Sequence, residues 1–265
     1  AAIEALGHEV DARLKAGVYE ISNGQSPRDI ALRMVRGEAA QEAVTLVEGW
    51  TFAQVRQALA QAESLKATIA QMSDAQVMAA LGREGQHPEG RFFPDTYRHA
   101  KGSPDIAVLR AALNAMDKRL EAAWGQRAAD TALKTKEDAL ILASIVEKET
   151  GAKADRAKVG GVFNNRLRIG MRLQTDPTVI YGIGPKFDGN LRKSDLTTDT
   201  PYNTYTRAGL PPTPIAMPGE ASLMAAVRPD ATKALYFVAR GDGTSEFSET
   251  LTAHNRAVNK YQRKR

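Results

Sequence analysis

At 265 residues, 43% of them apolar and 25% charged, the chain can bury a substantial core in one large domain or two modest ones. Its 36 Lys and Arg against 31 Asp and Glu leave a net charge of +5, spread along the chain apart from the basic tail from Gln262 to Arg265; this fits an acidic polymer partner without specifying nucleic acid. Absence of Cys excludes disulfides and thiolate metal sites while leaving the compartment open, and no run of about 18 apolar residues offers a membrane span. The chain opens Ala1, Ala2, Ile3 rather than with Met, as expected of a processed protein or an excised soluble piece with a signal or anchor upstream.

The segment from Ala16 to Ile21 reads as a short strand, followed by a turn at Asn23 and Gly24. Ser26 caps a helix to about Arg36, with Pro27 at its first position and Asp29 three residues after the cap. Gly37 stops it, and Ala43 to Val47 reads as a second strand. Strand, helix and return strand make a unit of about 50 residues, too small to be stable alone and expected to dock on the remainder of the chain. Thr51 opens a helix carrying Phe52, Val55, Leu59 and Ile69, with Ala-rich helical patterning through Leu81 and again from Asp105 to Trp124. Between them, Gly85 to Tyr97 is rich in loop formers and aromatics: a loop pinned in the core by Phe92 and Phe93, or a groove wall. Thr135 with Asp138 forms a capping box for a helix that Gly151 stops, and a second helix runs from Asp155 to Ile169. Met171 to Tyr181 mixes strand formers with polar residues and Pro177. Prolines 201, 211, 212, 214 and 218 predict a stiff extended loop. Leu235 to Ala239, the Gly241 to Gly243 turn and Glu246–Phe247 predict a hairpin, and His254 to the end a closing basic helix.

Chemistry concentrates where the apolar run from Leu140 to Gly151 ends in two carboxylates, Glu147 and Glu149. A carboxylate buried there costs several kcal/mol unless it is neutral or paired. At about 100° per residue, Leu142, Ile145 and Val146 fall within roughly 60° of Glu149, whereas Glu147 faces Leu140 and Ala143. Glu149 therefore shares the more apolar face and is expected to hold a proton and act as a general acid; Glu147 reads as a structural carboxylate. The alternative is that both merely solvate a helix C-terminus, where the helix dipole disfavours them. His8, His87, His99 and His254 are scattered, none at ligand spacing from another, so no metal is expected. With no Cys and no Gly-x-Ser-x-Gly elbow, a nucleophilic Ser or Cys lacks support. Gly182 and Gly184 lack the remaining Rossmann glycine, and no cofactor is expected. A glycosidase needs two carboxyls across the scissile bond. Glu147 and Glu149 point apart, which leaves Asp176 as a candidate partner or a one-carboxylate route. In the latter, a muramic acid C6 hydroxyl attacks its own C1 and closes an anhydro ring.

Five stretches carry a family resemblance: Ala143 to Thr150, Phe163 to Gly182, Tyr202 to Tyr205, Gly209 to Pro212, and Gly90 to Tyr97. Together they closely resemble the endolytic murein transglycosylase family (MltG, YceG-like), over nearly the whole chain. Gly17 to Ser26 resembles a degenerate LysM module. The resemblance implies an α+β fold: a small LysM-like unit over residues 1–50, N-terminally incomplete, and a larger mixed α/β catalytic domain over 51–265 with a central buried helix. Within the latter, 51–130 is the helical segment and 131–265 the catalytic core. The second glutamate of the Glu-x-Glu-Thr motif falls on Glu149. Implied are a lyase activity on the MurNAc–GlcNAc β-1,4 bond of nascent glycan strands, 1,6-anhydroMurNAc ends, and termination of strand elongation. Peptidoglycan strands are the implied partner, with peptidoglycan synthases at family level and no nucleic acid. Members are held in the inner membrane by one N-terminal helix with the catalytic part periplasmic; that helix is not in this chain. Gln174, Thr175 and Asp176 are candidate sugar contacts or turn-forming polar residues. Tyr202, Asn203 and Tyr205 are a candidate aromatic platform and amide contact, or loop packing. Glu147 is a weaker candidate contact, and Asn164 and Asn165 read as helix-to-loop ties. A hydrolytic muramidase and a non-catalytic peptidoglycan-binding scaffold stay open as alternatives.

Overall fold

A computed structural model describes residue 19 and residues 21–37, 41–150 and 152–262. The first strand expectation, 16–21, lies outside these apart from Tyr19 and Ile21, as does most of the basic tail. Ser26 accepts the Asp29 N–H while Asp29 bonds back to the Ser26 backbone, starting α1 (Pro27–Arg36). Gly37, with φ 72°, ends it in the left-handed region that glycine tolerates.

Strand β1 (Gln41–Thr45), read from sequence as the return strand of an N-terminal unit, pairs antiparallel with a later strand at Thr96–Ala100. The reason is apolar: Val44 and Leu46 turn into a core shared with Phe52, Val55 and Phe92. The helix expected to continue to Leu81 is two helices, α2 (Phe52–Gln61) and α3 (Asp74–Ala80). Ala62 leaves helical geometry at φ −79°, ψ 92°, and a Ser73–Gln76 capping box restarts it. Between them β2 (Leu65–Lys66) pairs in parallel with a two-residue strand before the next helix. Phe92 and Phe93 are 0% and 5% exposed and serve different cores, so the loop they belong to is pinned at two places. The segment then runs into β3 (Thr96–Ala100) and β4 (Ser103–Pro104).

Helix α4 (Asp105–Gly125) joins the two cores: Val108, Leu109, Ala112 and Leu113 belong to the first, Met116, Leu120 and Ala123 to the second. The second core is built around α5 (Lys136–Glu149), started by the Thr135–Asp138 capping box. Every residue from Ala139 to Val146 is buried. A fully buried Leu, Ile or Val contributes about 1.5–3 kcal/mol, so this helix is a main source of the fold's stability. Around it pack α4, α6 (Arg156–Arg168), α7 (Asp176–Ile183) and, after the short α8 (Lys193–Thr197), α9 (Glu220–Val227). Helix α7 replaces the mixed strand character read over Met171 to Tyr181. Pro177 sits in its first turn, where the missing N–H has no helical partner to lose. The proline-rich stretch is an irregular strap, with Ile215, Ala216 and Met217 buried. The hairpin of β5 (Tyr236–Ala239) and β6 (Ser245–Ser248) is antiparallel, and α10 (Leu251–Tyr261) packs on it. The architecture is α+β, and no helix among the described residues is long and apolar enough to cross a membrane.

Helices α6 and α9 meet at Gly160, where an added Cβ would run into the Ala225 carbonyl oxygen. Gly160→Ala should therefore destabilise the fold by about 3 kcal/mol or more, since backbone must move. Gly125→Ala, at an exposed helix end with open space around it, should stay within about 1 kcal/mol of wild type. Urea unfolding of the two variants checks this; equal midpoints would contradict the close crossing.

Candidate active site

The last turn of α5 ends where α6, the approach to α7 and the β5–β6 hairpin converge on a cavity of about 840 Å³. Glu149, Phe163, Arg166 and Leu173 line it, together with Gln174, Asp176 and Tyr205 and with Tyr236 and His254 from the C-terminal hairpin and helix. The Thr175 hydroxyl donates to Glu149 Oε1. Burial pushes the Glu149 pKa above its ordinary value, the Thr175 bond pulls it back, Asp176 pushes it further up and Arg166 pulls it down. Burial wins, so the carboxyl keeps its proton to higher pH than an exposed glutamate does.

Thr175 is itself fixed by buried hydroxyls. Its N–H donates to Thr204 Oγ1 at 3.1 Å, Thr178 Oγ1 donates to its carbonyl at 2.8 Å, and the Thr178 and Thr204 hydroxyls lie 2.9 Å apart. Gln174 is held at φ 46° by its N–H bond to the Thr204 carbonyl at 3.1 Å. A non-glycine residue in that region is strained, and such strain concentrates at functional sites. Asp176 Oδ1 accepts the Tyr205 hydroxyl at 2.5 Å, and burial followed by this carboxylate pushes the Tyr205 pKa well up, keeping it a donor.

Arg166 braces the cavity floor: Nε donates to the Leu235 carbonyl and Nη1 to the Leu173 carbonyl, each at 2.6 Å. Its guanidinium lies 5.3 Å from the Tyr236 ring centroid, and Tyr236 in turn stacks on His254 at 5.2 Å. Burial lowers the Arg166 pKa from its very high ordinary value, and Tyr236, Tyr205 and Glu149 oppose that shift. A guanidinium remains charged under such conditions.

Of the residues singled out by sequence, Glu149, Gln174, Asp176 and Tyr205 line the cavity and Thr175 touches Glu149 from behind. Three stand elsewhere. Glu147 does not line the cavity: its side chain is 6% exposed, Oε2 accepts the Gly219 N–H at 2.9 Å, and Oε1 faces Arg156 at 3.4 Å. Asn203 is buried and knots its loop, with Nδ2 donating to the carbonyls of Asp195, Leu196 and Thr198 while Oδ1 accepts the Tyr205 N–H at 2.9 Å. Tyr202 packs edge-on against Tyr181 at 5.0 Å, its hydroxyl 2.8 Å from Thr213 Oγ1. Asn164 bonds the carbonyls of Gly160 and Ala226, and Asn165 those of Thr232 and Ala234, so both tie α6 to neighbouring segments. Sequence reading missed Arg166, Tyr236 and His254. For Arg166 a signal exists: it continues the apolar stripe of Val159, Val162 and Phe163 at helical spacing, where a charge needs a reason. Tyr236 and His254 lie far along the chain and carry no local mark.

This is an α+β protein whose cleft holds a buried carboxyl, its pKa raised, at the end of its central helix. The YceG-like family profile matches residues 2–260, and the chain belongs to that family. A protein named endolytic murein transglycosylase from Bacillus subtilis is 35% identical over 267 residues, 93% of this chain and 73% of that protein. One of the same name from Streptococcus pneumoniae is 28% identical over 281 residues, 92% of this chain and 50% of its own length. A crystal structure of a yceG-like protein from Listeria monocytogenes superposes with a TM-score of 0.65 at 29% identity, covering 96% of this chain and 88% of that one.

The raised Glu149 pKa has a cost in stability. From the ordinary value of 4.5 upward, the unfolded chain releases this proton while the folded chain retains it, so Glu149 subtracts stability as pH rises toward the folded pKa. Glu149→Gln removes that subtraction. The variant should be more stable than wild type at about pH 8, with the advantage shrinking toward about pH 4, where both states are protonated. Urea midpoints at the two pH values measure it, and an advantage independent of pH would contradict the assignment.

Proposed function

We propose that this chain is the catalytic part of an endolytic peptidoglycan lytic transglycosylase. It cleaves the β-1,4 bond between N-acetylmuramic acid and N-acetylglucosamine within glycan strands and leaves 1,6-anhydro ends, which terminates strand growth. The observation that carries the reading is the placement of Glu149, buried at the end of α5 with its pKa pushed up and its carboxyl lining the cavity, in a family whose relatives bear that activity in their names. Neutral Glu149 donates its proton to the glycosidic oxygen as the bond from C1 breaks. The resulting carboxylate then takes the proton of the muramic C6 hydroxyl as that oxygen bonds C1. The proton count is restored and no water is consumed.

Opposed influences on Glu149 suit a group that serves as acid and then base. Burial and Asp176 favour the neutral form; Thr175 and Arg166 support the anion in between. Among the described cavity-lining residues Asp176 is the other carboxylate; its Oδ1 accepts the Tyr205 hydroxyl, which makes it a weaker base for activating water. That supports the self-cyclising route. Tyr236, stacked with His254 and lying under the Arg166 guanidinium, adds an aromatic edge to the cavity lining. A LysM-like role in glycan binding for residues 1–50 rests on the resemblance of Gly17 to Ser26. Extracytoplasmic placement follows from the proposed substrate, and an inner-membrane anchor and synthase partners are extensions of the same reading.

Mass analysis of products from purified glycan strands tests this. Wild type should yield internal cuts with anhydro ends, and Glu149→Gln should lower the rate by about a hundredfold or more while remaining folded. Products heavier by one water would identify a hydrolytic muramidase, and strand binding without cleavage a scaffold. Asp176→Asn should keep the anhydro product but move the alkaline limb of the pH–rate profile to lower pH, because removing the neighbouring charge lowers the Glu149 pKa. A limb that stays put or moves upward would contradict that role.

A further inference from the structure

Glu89 is a buried carboxylate that the chemistry above does not use. It is 3% exposed, and among the described residues no Lys or Arg forms an ion pair with it. An acid buried without a cation is costly, and an apolar residue in its place would avoid that cost. Its bonds show what it holds. Oε1 accepts the N–H of Phe52, the first residue of α2, at 2.9 Å, and Oε2 accepts the Tyr181 hydroxyl, on α7, at 3.1 Å. The Gly90 N–H also supports it. Around it stand His87, whose Nδ1 accepts the Glu89 N–H at 3.2 Å, and Asp74 in the first turn of α3. Burial raises the Glu89 pKa to about 7 against the pull of these donors, with Asp74 adding to the rise.

The bond joins two parts of the molecule that otherwise have separate cores. Phe52 belongs to the first core, while Tyr181 and Tyr202 pack on the second. The turn that carries Glu89 is seated as well: Gly90 has φ 79°, and a Cβ there would collide with Pro214. That segment is tied to α5, because the Ile215 N–H donates to Ser144 Oγ at 3.0 Å. Helix α7 is therefore held near one end by Glu89, while at its other end Asp176 lines the cavity and the preceding residue, Thr175, bonds Glu149. Tyr181 lies five residues from Asp176, a rise of roughly 7.5 Å along a two-turn helix, so a shift at one end reaches the other.

We propose that the hydrogen bond between Glu89 and Tyr181 is a latch that fixes α7 against the α2 region, making Glu89 a positioning residue for the proton transfers at Glu149. It rests on the functional reading above. A displacement of about 1 Å at a reacting group is enough to lower a rate by about a hundredfold. Most of the cavity wall comes from α6, the β5–β6 hairpin and α10, which the latch does not touch, so substrate affinity should change less than the rate.

The test compares Tyr181→Phe, Glu89→Ala and Glu89→Gln in the whole chain, by strand-cleavage kinetics and by amide hydrogen exchange of residues 175–183. Tyr181→Phe and Glu89→Ala should lower kcat by about tenfold or more with KM within about twofold, and should speed exchange in α7 but not in α4. Glu89→Gln, whose amide can donate to the Tyr181 oxygen, should restore most of the rate lost in Glu89→Ala. Wild-type kcat and wild-type α7 exchange in Tyr181→Phe, or a rise in KM alone, would overturn the latch. Should Tyr181→Phe fail to fold, the Glu89→Gln/Tyr181→Phe pair, which carries no buried charge, decides by the same two readouts. If the wild-type chain makes no anhydro ends, the functional reading fails, and the exchange data still decide the latch.

Discussion

A carboxyl group at the end of a helix whose middle is buried on every side is unstable as an anion unless something answers its charge, and Glu149 is placed there with only a hydroxyl bonded to it. Much of the molecule enforces that situation. The burial of α5 from Ala139 to Val146 needs α4, α6 and α9 around it, and Gly160 permits α6 and α9 to close without a gap. The hydroxyl cluster of Thr175, Thr178 and Thr204 then supplies one neutral donor, while the Arg166 guanidinium acts on the carboxyl without bonding it. The proton on Glu149 is a consequence of packing several residues removed from it.

The contrast with Glu147 sharpens this. Helical spacing alone separates the two by apolar face, yet the helix is buried on every side and Glu147 is itself nearly inaccessible. What divides them is their company. Glu147 meets the Gly219 N–H and Arg156, partners that suit an anion, and it ties the end of α5 to the starts of α9 and α6. Glu149, two residues on, faces the cavity instead. Helical spacing and tertiary packing thus single out the same glutamate for different physical reasons.

Local chemistry was legible wherever it is enforced by neighbours in sequence. The Ser26, Thr51 and Thr135 caps, the Gly241–Gly243 hairpin and the buried run of α5 are all readable because the signal and the structure lie within a few residues. Helix α7 was obscured by Pro177, which reads as a breaker unless its first-turn position is known. Partners were the least legible. That β1 pairs with β3, that Tyr236 and His254 stack beside Arg166, and that Asn203 knots a loop rather than lining the cavity all depend on contacts between distant segments. Gln174, Asp176 and Tyr205 could be named from sequence, whereas the bond that joins Asp176 to Tyr205 could not.

The proposed chemistry turns on the protonation state of Glu149, and infrared difference spectroscopy of wild type against Glu149→Gln measures it directly, because other carboxyls, Glu89 included, cancel. Followed from low pH upward, the carbonyl stretch of the protonated Glu149 carboxyl should persist beyond the pH at which an ordinary glutamate, with its pKa of 4.5, has ionised. A stretch lost at or below that ordinary value would contradict it.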